Sequence, residues 1–255
     1  PAQPLGGADE QPSTPLTWSR ASWTLSIASA NVTTLGLGNG GYQGKLDFLR
    51  AQFVAFHLHL LGVQEARSQE GTTLAGNVLR LCSGSAGGHL GVELWCNLNQ
   101  PICYVKGAPI FFNAGDFQVL HRDPRRLLVR TTSHDVTFLL LVCHAPQSGV
   151  SLAERSAWWI QTTELLQNLG KGDHLFLMTD ANAGPGEADG IAVYENGFRT
   201  SSGTPLLRQF LDEHSLCLPS TASFHTGPKH TWICPDGSQE FCIDFVAIPR
   251  AFFSS

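Results

Sequence analysis

The run His174-Leu175-Phe176-Leu177-Met178-Thr179-Asp180-Ala181-Asn182-Ala183-Gly184 constrains the chain more than any other stretch. A block of mostly apolar residues suits a short strand buried on both faces, and the polar, glycine-rich residues behind it end that strand. Asp180 and Asn182 follow directly, two apart. In extended chain that spacing turns both side chains to one side, towards one ligand. The same tripeptide also starts turns through local side-chain to backbone bonds. Other strand-like segments that also end in a functional polar residue shift the reading towards chemistry.

Residues 23–32 alternate as a strand with Asn31 near its end. Residues 45–56 carry Leu46, Leu49 and Phe53 at helical spacing, the pattern of an amphipathic helix covering a sheet. In the strand expected over 58–65, Leu61, Val63 and Glu65 share a face, so an acid ends an apolar row. Residues 137–142 read as a second strand buried on both faces, delivering His144 and Gln147. Ser151-Leu152-Ala153-Glu154 is a capping box, opening a helix to about residue 169 that Gly170 closes. This strand–helix–strand order is typical of layered α/β construction. Short strands expected at 90–95, 102–106, 117–120 and 126–131 suggest two packed sheets. Thr204-Pro205 predicts an N-cap and first helical residue for a helix over 206–214. Within 241–249, Asp244 sits in so apolar a strand that it is costly unless paired or metal-bound.

Several features read as structural. The glycine-rich loop 36–44 lacks the Lys-Ser/Thr ending of a phosphate loop. His57 and His59 have strand spacing but no third ligand nearby. His121, Arg122, Arg125, Arg126 and Arg130 form a basic cluster read first as a solvated strand edge, with a backbone-phosphate contact as the alternative. His225, His230, Cys234 and Cys242 are zinc-type residues, at a spacing that matches no compact finger.

With 42% hydrophobic and 15% charged residues, the composition is that of a globular core. Residues 1–20 hold four prolines and no apolar period and are expected to be a linker or tail, with 21–255 as one domain. The longest apolar run, residues 138–143, is too short to cross a bilayer, and no signal peptide is visible. Seven irregularly spaced cysteines without Cys-x-x-Cys argue for buried thiols in a reducing compartment. An intracellular protein of nucleus or cytoplasm is expected, and a start at Pro1 suggests an excised piece. A net charge of −5 disfavours tight nucleic-acid binding by the surface alone. It is compatible with an enzyme that brings a cation to a phosphate.

The order Asn31-Val32, Gln64-Glu65, His144-x-Pro146, Asp180-x-Asn182 and Ile243-Asp244-Phe245 resembles the endonuclease/exonuclease/phosphatase superfamily over about residues 23–249. That superfamily includes deoxyribonuclease I and the abasic-site repair nucleases. Within it, Thr231-Trp232-Ile233-Cys234-Pro235-Asp236-Gly237 leading into Ile243-Asp244-Phe245 is similar to the endonuclease domains of LINE-type retrotransposons. The resemblance implies a deoxyribonuclease I-like, four-layer α/β/β/α sandwich: two mainly antiparallel sheets face to face, with helices outside. It also implies a DNA-nicking hydrolase dependent on Mg²⁺, with Mn²⁺ as a substitute. Glu65 would hold the metal with Asn31 alongside, and Asp180 would activate the attacking water. His144 and Asn182 would bind phosphate oxygens, and Thr231 and Trp232 would contact the substrate. DNA is the implied partner, with a reverse transcriptase domain in a longer parent polypeptide.

The chain also departs from the pattern. In the family, the aspartate matching Asp244 buttresses a histidine from a final Ser-Asp-His, a motif found nowhere in this sequence. The chain is expected to be cut before that motif; a degenerate site is the alternative. Thr179 and Ala181 stand where the family has Gly and Phe, and Ala for Phe costs about 3–5 kcal/mol if nothing refills the space. Two other readings remain: a phosphatase or phosphodiesterase of the same fold on a small or lipid phosphate, and an inactive binding domain.

Overall fold

The structure, a computed structural model, describes residues 23–35, 44–133, 136–167, 170, 172–195 and 197–253. The expected N-terminal tail and most of the glycine-rich loop 36–44 lie outside the described residues.

A first sheet is formed by β1 (Ile27–Asn31), β2 (Leu60–Gln64), β3 (Gly71–Ala75), β4 (Val78–Cys82) and β5 (Glu93–Asn97), in the order β1-β2-β5-β4-β3. Helix α1 (Lys45–Ala55) joins β1 to β2, which pair in parallel. The small hairpin of β6 (Cys103–Val105) and β7 (Ala108–Ile110) leads to the second sheet. That sheet contains β8 (Phe117–Asp123), β9 (Arg126–Ser133), β10 (Val136–His144), β11 (His174–Asp180), β12 (Leu216–Cys217) and β15 (Asp244–Pro249), in the order β12-β15-β11-β10-β9-β8. Helix α2 (Leu152–Leu165) makes the parallel crossover from β10 to β11. Helix α3 (Thr204–Glu213) leads into β12, the hairpin of β13 (Trp232–Ile233) and β14 (Glu240–Phe241) precedes β15, and a short α4 (Arg250–Phe253) follows.

Three apolar clusters separate four layers. Phe53 of α1 packs on Leu61, Val63 and Trp95 at the outer face of the first sheet. Leu60, Leu94, Phe138, Leu140, Val142, Phe176 and Met178 fill the space between the sheets. Trp158, Trp159, Leu207 and Phe210 of α2 and α3 cover Leu139, Leu141, Leu175, Leu177 and Phe245 on the far side. The alternation along each strand assigns each side chain to a layer. Strands buried on both faces, β10 and β11 above all, are accordingly apolar through their middles, at 138–143 and 175–178.

The capping box at Ser151 and Glu154 forms as expected. The expected N-cap at Thr204 does not: Gly203 is the N-cap and Thr204 is already helical, because its hydroxyl donates to the Gly184 carbonyl at 2.9 Å. Neither strand of the β3–β4 hairpin was expected: Thr72, Thr73 and Leu74 of β3 are exposed and carry no apolar row, whereas β4 is buried through Val78, Leu79, Leu81 and Cys82. His59 is a core residue. Its Nδ1 accepts from the Ser26 N–H at 2.9 Å and its Nε2 meets the Pro101 carbonyl at 3.0 Å, so the imidazole is neutral and spent. All seven cysteines are free thiols. No helix among the described residues is long and apolar enough to cross a membrane.

At Gly62 the two sheets approach closely. A Cβ placed there would lie 2.4 Å from Met178 Cβ on the facing sheet. Gly62→Ala therefore forces the sheets apart and should cost roughly 1–3 kcal/mol. Urea denaturation would register this as a lower midpoint with an unchanged slope.

Candidate active site

The inner faces of the two sheets are apolar along their length and turn polar at one end. Asn31, Gln64, His144, Asp180 and Asp244 stand on the inner rows at or beside the strand tips. Gln64 is buried, and its Nε2 donates to Ser29 Oγ at 3.1 Å and to the Met178 carbonyl at 3.3 Å, which ties the sheets together beneath this end.

Glu65 reaches the same place by a different route. Leu61 and Val63 face outwards towards α1, so straight alternation would send Glu65 there as well. Instead its φ of 54° puts it in the left-handed region directly past β2 and swings the carboxylate to the inner end. The expectation that Glu65 continues the Leu61–Val63 row is thus corrected. Asn182, with φ 47°, makes a similar turn past β11.

Asn31 Nδ2 donates both to Glu65 Oε1 at 3.1 Å and to Asp180 Oδ2 at 2.9 Å. His144 Nε2 lies 3.7 Å from that Asp180 oxygen and 4.0 Å from that Glu65 oxygen. One amide nitrogen and one imidazole nitrogen thus face the same two carboxylate oxygens. Asp180 is further braced by the Asn182 N–H on its other oxygen at 3.0 Å, and Asn182 Nδ2 donates to the Ala145 carbonyl at 2.8 Å. These side chains line a cavity of about 480 Å³ that also includes Arg67, His89, Arg125, Trp232 and Phe241.

Burial sets the electrostatics. It pushes the Asp180 carboxyl above the usual aspartate range, offset in part by His144, Asn31 and the Asn182 N–H, while Glu65 adds to the rise. Burial also lowers His144 below the usual histidine range; Arg125 adds to this, and Asp180 and Glu65 oppose it. Asp180 therefore carries charge at a cost that a cation in the cavity would relieve.

Asn31, Glu65, His144, Asp180, Asn182 and Trp232 share this one cavity. Thr231 and Asp244 instead line a neighbouring trough between the sheets, of about 1240 Å³. The Thr231 hydroxyl accepts from the Ile243 and Asp244 N–H groups at 3.0 and 3.1 Å and so holds the backbone where β15 begins. Asp244 sits directly opposite Asp180 across the antiparallel pair, and its Oδ1 is buried without a hydrogen-bond partner among the described residues. Burial first, and the charge of Asp180 second, push its carboxyl up to about 7.

Sequence reasoning missed Arg67 and misjudged Arg125. No pattern marks Arg67, because its place depends on the turn at Glu65. Arg125 was grouped with the basic strand edge, and the structure separates it from that group. Arg122, Arg126 and Arg130 pair with Glu70, Asp123 and Asp173, whereas Arg125 turns into the cavity. His225, His230, Cys234 and Cys242 do not gather: among the described residues no group of three or more His, Cys, Asp or Glu side chains is placed to hold a metal. A hard cation needs no such group, since Mg²⁺ keeps several waters and takes one or two carboxylates. The facing Glu65 and Asp180 oxygens fit that requirement; the Asn31 Nδ2 between them is a donor and no ligand, and the Asn31 Oδ1 accepts from the Thr33 N–H at 3.1 Å.

No protein-family model and no curated protein matches the sequence. Solved structures do match. The endonuclease domain of TRAS1, a telomere-specific non-LTR retrotransposon, superposes with a TM-score of 0.56 at 14% identity, over 91% of this chain and 88% of its own. A 3′ phosphatase from Neisseria bound to its product DNA hairpin gives 0.60 at 17%, over 91% and 89%. An AP endonuclease from Leishmania major gives 0.59 at 13%, over 88% and 79%. The chain has the fold these structures share, a deoxyribonuclease I-like α/β sandwich.

A carboxyl whose folded pKa is about 7 keeps its proton where the unfolded chain, at an ordinary aspartate pKa near 4, has lost it. Asp244 therefore contributes stability that is complete below about pH 4 and is lost as pH rises through about 7. Asp244→Asn should remove a downward slope of up to about 1.4 kcal/mol per pH unit across that window. Denaturation curves of both proteins at several pH values would show the difference narrowing towards acid.

Proposed function

We propose that the chain is a Mg²⁺-dependent phosphodiester hydrolase that nicks DNA, of the retrotransposon endonuclease type. The observation that carries this reading is the meeting of Glu65 Oε1 and Asp180 Oδ2 on the single Asn31 amide, with His144 Nε2 facing both oxygens. The fold shared with nucleases and a 3′ phosphatase supports the reaction class.

Glu65, with Asn31 beside it, would hold the metal. When bound, Mg²⁺ supplies polarisation of the phosphate and charge stabilisation on the leaving oxygen, and Mn²⁺ would serve in its place. Asp180 orients the attacking water and takes its proton; its raised pKa improves it as a base near neutrality, and the Asn182 N–H fixes its rotamer. His144 Nε2 faces the site and donates to a phosphate oxygen when protonated there, a preorganised contact. Asn182 uses one amide hydrogen to hold the Ala145 carbonyl, which leaves its second for a phosphate oxygen. Trp232, on the β13–β14 hairpin at the rim, is 42% exposed and offers an apolar face to the substrate. Thr231 contributes through the hairpin backbone rather than by direct contact. A reverse transcriptase domain in a longer parent polypeptide would supply target binding that a net charge of −5 does not.

With supercoiled plasmid and Mg²⁺, the protein should yield relaxed circles, and chelator should abolish them. Asp180→Asn should lower the rate at least about 100-fold. Glu65→Gln should raise the Mg²⁺ concentration needed for half-maximal rate. Orthophosphate released from small esters without nicking would establish the phosphatase reading instead. No turnover of either substrate, with DNA still bound, would leave a binding domain.

A further inference from the structure

Glu65 stands off the inner row, and its place beside Asp180 depends on the turn that carries it. Main chain holds that turn on both sides. The Ala66 carbonyl accepts from the Leu35 N–H at 2.9 Å, and the Ala66 N–H donates to the Gly91 carbonyl at 2.9 Å. The Arg67 N–H donates to the Leu90 carbonyl at 2.9 Å. Gly91, just before β5 of the first sheet, also reaches the second: its N–H donates at 2.8 Å to the carbonyl of Pro124, in the β8–β9 turn. The next residue, Arg125, accepts at its carbonyl from the His144 N–H at 2.9 Å. The Ala145 N–H in turn donates to the Asp180 carbonyl at 2.9 Å. A belt of main-chain hydrogen bonds thus runs around the polar end, from the neighbour of Glu65 to His144 and Asp180. At Gly91 it passes from one sheet to the other.

Gly91 fits there only without a side chain. Its φ is 89°, and a Cβ would lie 3.1 Å from the Arg67 nitrogen and 3.2 Å from the Gly84 carbonyl oxygen. Both are backbone atoms, which cannot swing aside as the end of a long side chain can. Displacing the first displaces the turn at Glu65. The same loop supplies its own control in Gly88, with φ 78°, where a Cβ would meet nothing within 4 Å. The two glycines share a left-handed backbone, and only Gly91 adds the close approach. We infer that Gly91 is a positioning residue for the acidic pair, setting the reach of Glu65 towards Asp180 by tying the Glu65 turn to the other sheet. For the metal the inference rests on the hydrolase reading; for the position of Glu65 it rests on the belt alone.

The test compares Gly91→Ala with Gly88→Ala in the whole chain, each checked for folding by urea denaturation. The Asn31 side-chain amide bridges Glu65 and Asp180, so its NMR resonances report their juxtaposition with no metal and no substrate present. Those resonances should move in Gly91→Ala and stay in Gly88→Ala, although both variants place alanine at a left-handed position. Where the wild type binds Mn²⁺, its affinity, read from the electron paramagnetic resonance of the free ion, should fall at least about tenfold in Gly91→Ala alone. Three results overturn the inference and make Gly91 a structural glycine only: an unmoved Asn31 amide in folded Gly91→Ala, equal movement in the two variants, or undiminished Mn²⁺ binding. If Gly91→Ala does not fold, Ser83→Ala decides. The Ser83 hydroxyl accepts from the Val92 N–H and donates to the Gly84 carbonyl, both at 3.0 Å, so its loss frees the base of the loop without adding an atom. The Asn31 amide should move there too, and a fixed one overturns the inference. A wild-type protein that binds no Mn²⁺, with the Asn31 amide still moved by Gly91→Ala, would end the metal reading and leave the positioning role standing.

Discussion

Two carboxylates, Glu65 and Asp180, are held facing each other at the inner end of the sandwich by one Asn31 amide, and the surrounding architecture serves that juxtaposition. Like charges at such range in a partly buried site repel, and burial raises the cost further. The burden is spread over Asn31, His144, the Asn182 N–H and the arginines beyond. It is spread incompletely, as the raised pKa of Asp180 records. A cation and a phosphate entering together would complete the neutralisation, which is why this end of the molecule reads as a site and not as a core defect.

Holding the two acids requires the sheets to approach closely and the chain to turn sharply where each strand ends. Gly62 admits Met178 of the facing sheet, and Gln64, the last residue of β2, bonds across the gap to the Met178 carbonyl. Past these points Glu65 and Asn182 adopt left-handed backbone conformations, each a modest cost for a residue with a Cβ. The strain lies at the two positions that aim a carboxylate and an amide into the cavity. The cores on either side supply the rigidity that keeps it there.

The walls of the cavity differ as much as its floor. Turns after β2 and between β8 and β9 bring guanidinium groups to the lining, and the β13–β14 hairpin brings Trp232 and Phe241. The overall charge of −5 hides this local asymmetry, since most other arginines of the β8–β9 region are paired with acids. Net charge reports on long-range steering, and a few unspent donors in a cavity report on recognition.

How much of this was legible beforehand depends on the range of the interaction concerned. The apolar runs of β10 and β11, the Ser151 capping box and the polar residues at strand ends follow from local pattern, because burial and capping act within a few residues. The order of the short motifs carried the fold. Other features were decided by tertiary contact. The exposed strand β3 has no apolar alternation to announce it, and Thr204 left its cap position because Gly184 offered a carbonyl across space. Glu65 belongs by periodicity to the outer row beneath α1, and only a backbone turn past β2 delivers it to Asp180. Arg125 looks like its basic neighbours in a string of letters, yet it alone of the four arginines there has no carboxylate within 4.0 Å among the described residues and enters the cavity. The sequence by itself determined the layers and the kinds of side chain at the strand tips, through periodic burial. Which of those side chains meet, and which charges stay unspent, was decided only when distant strands were brought side by side.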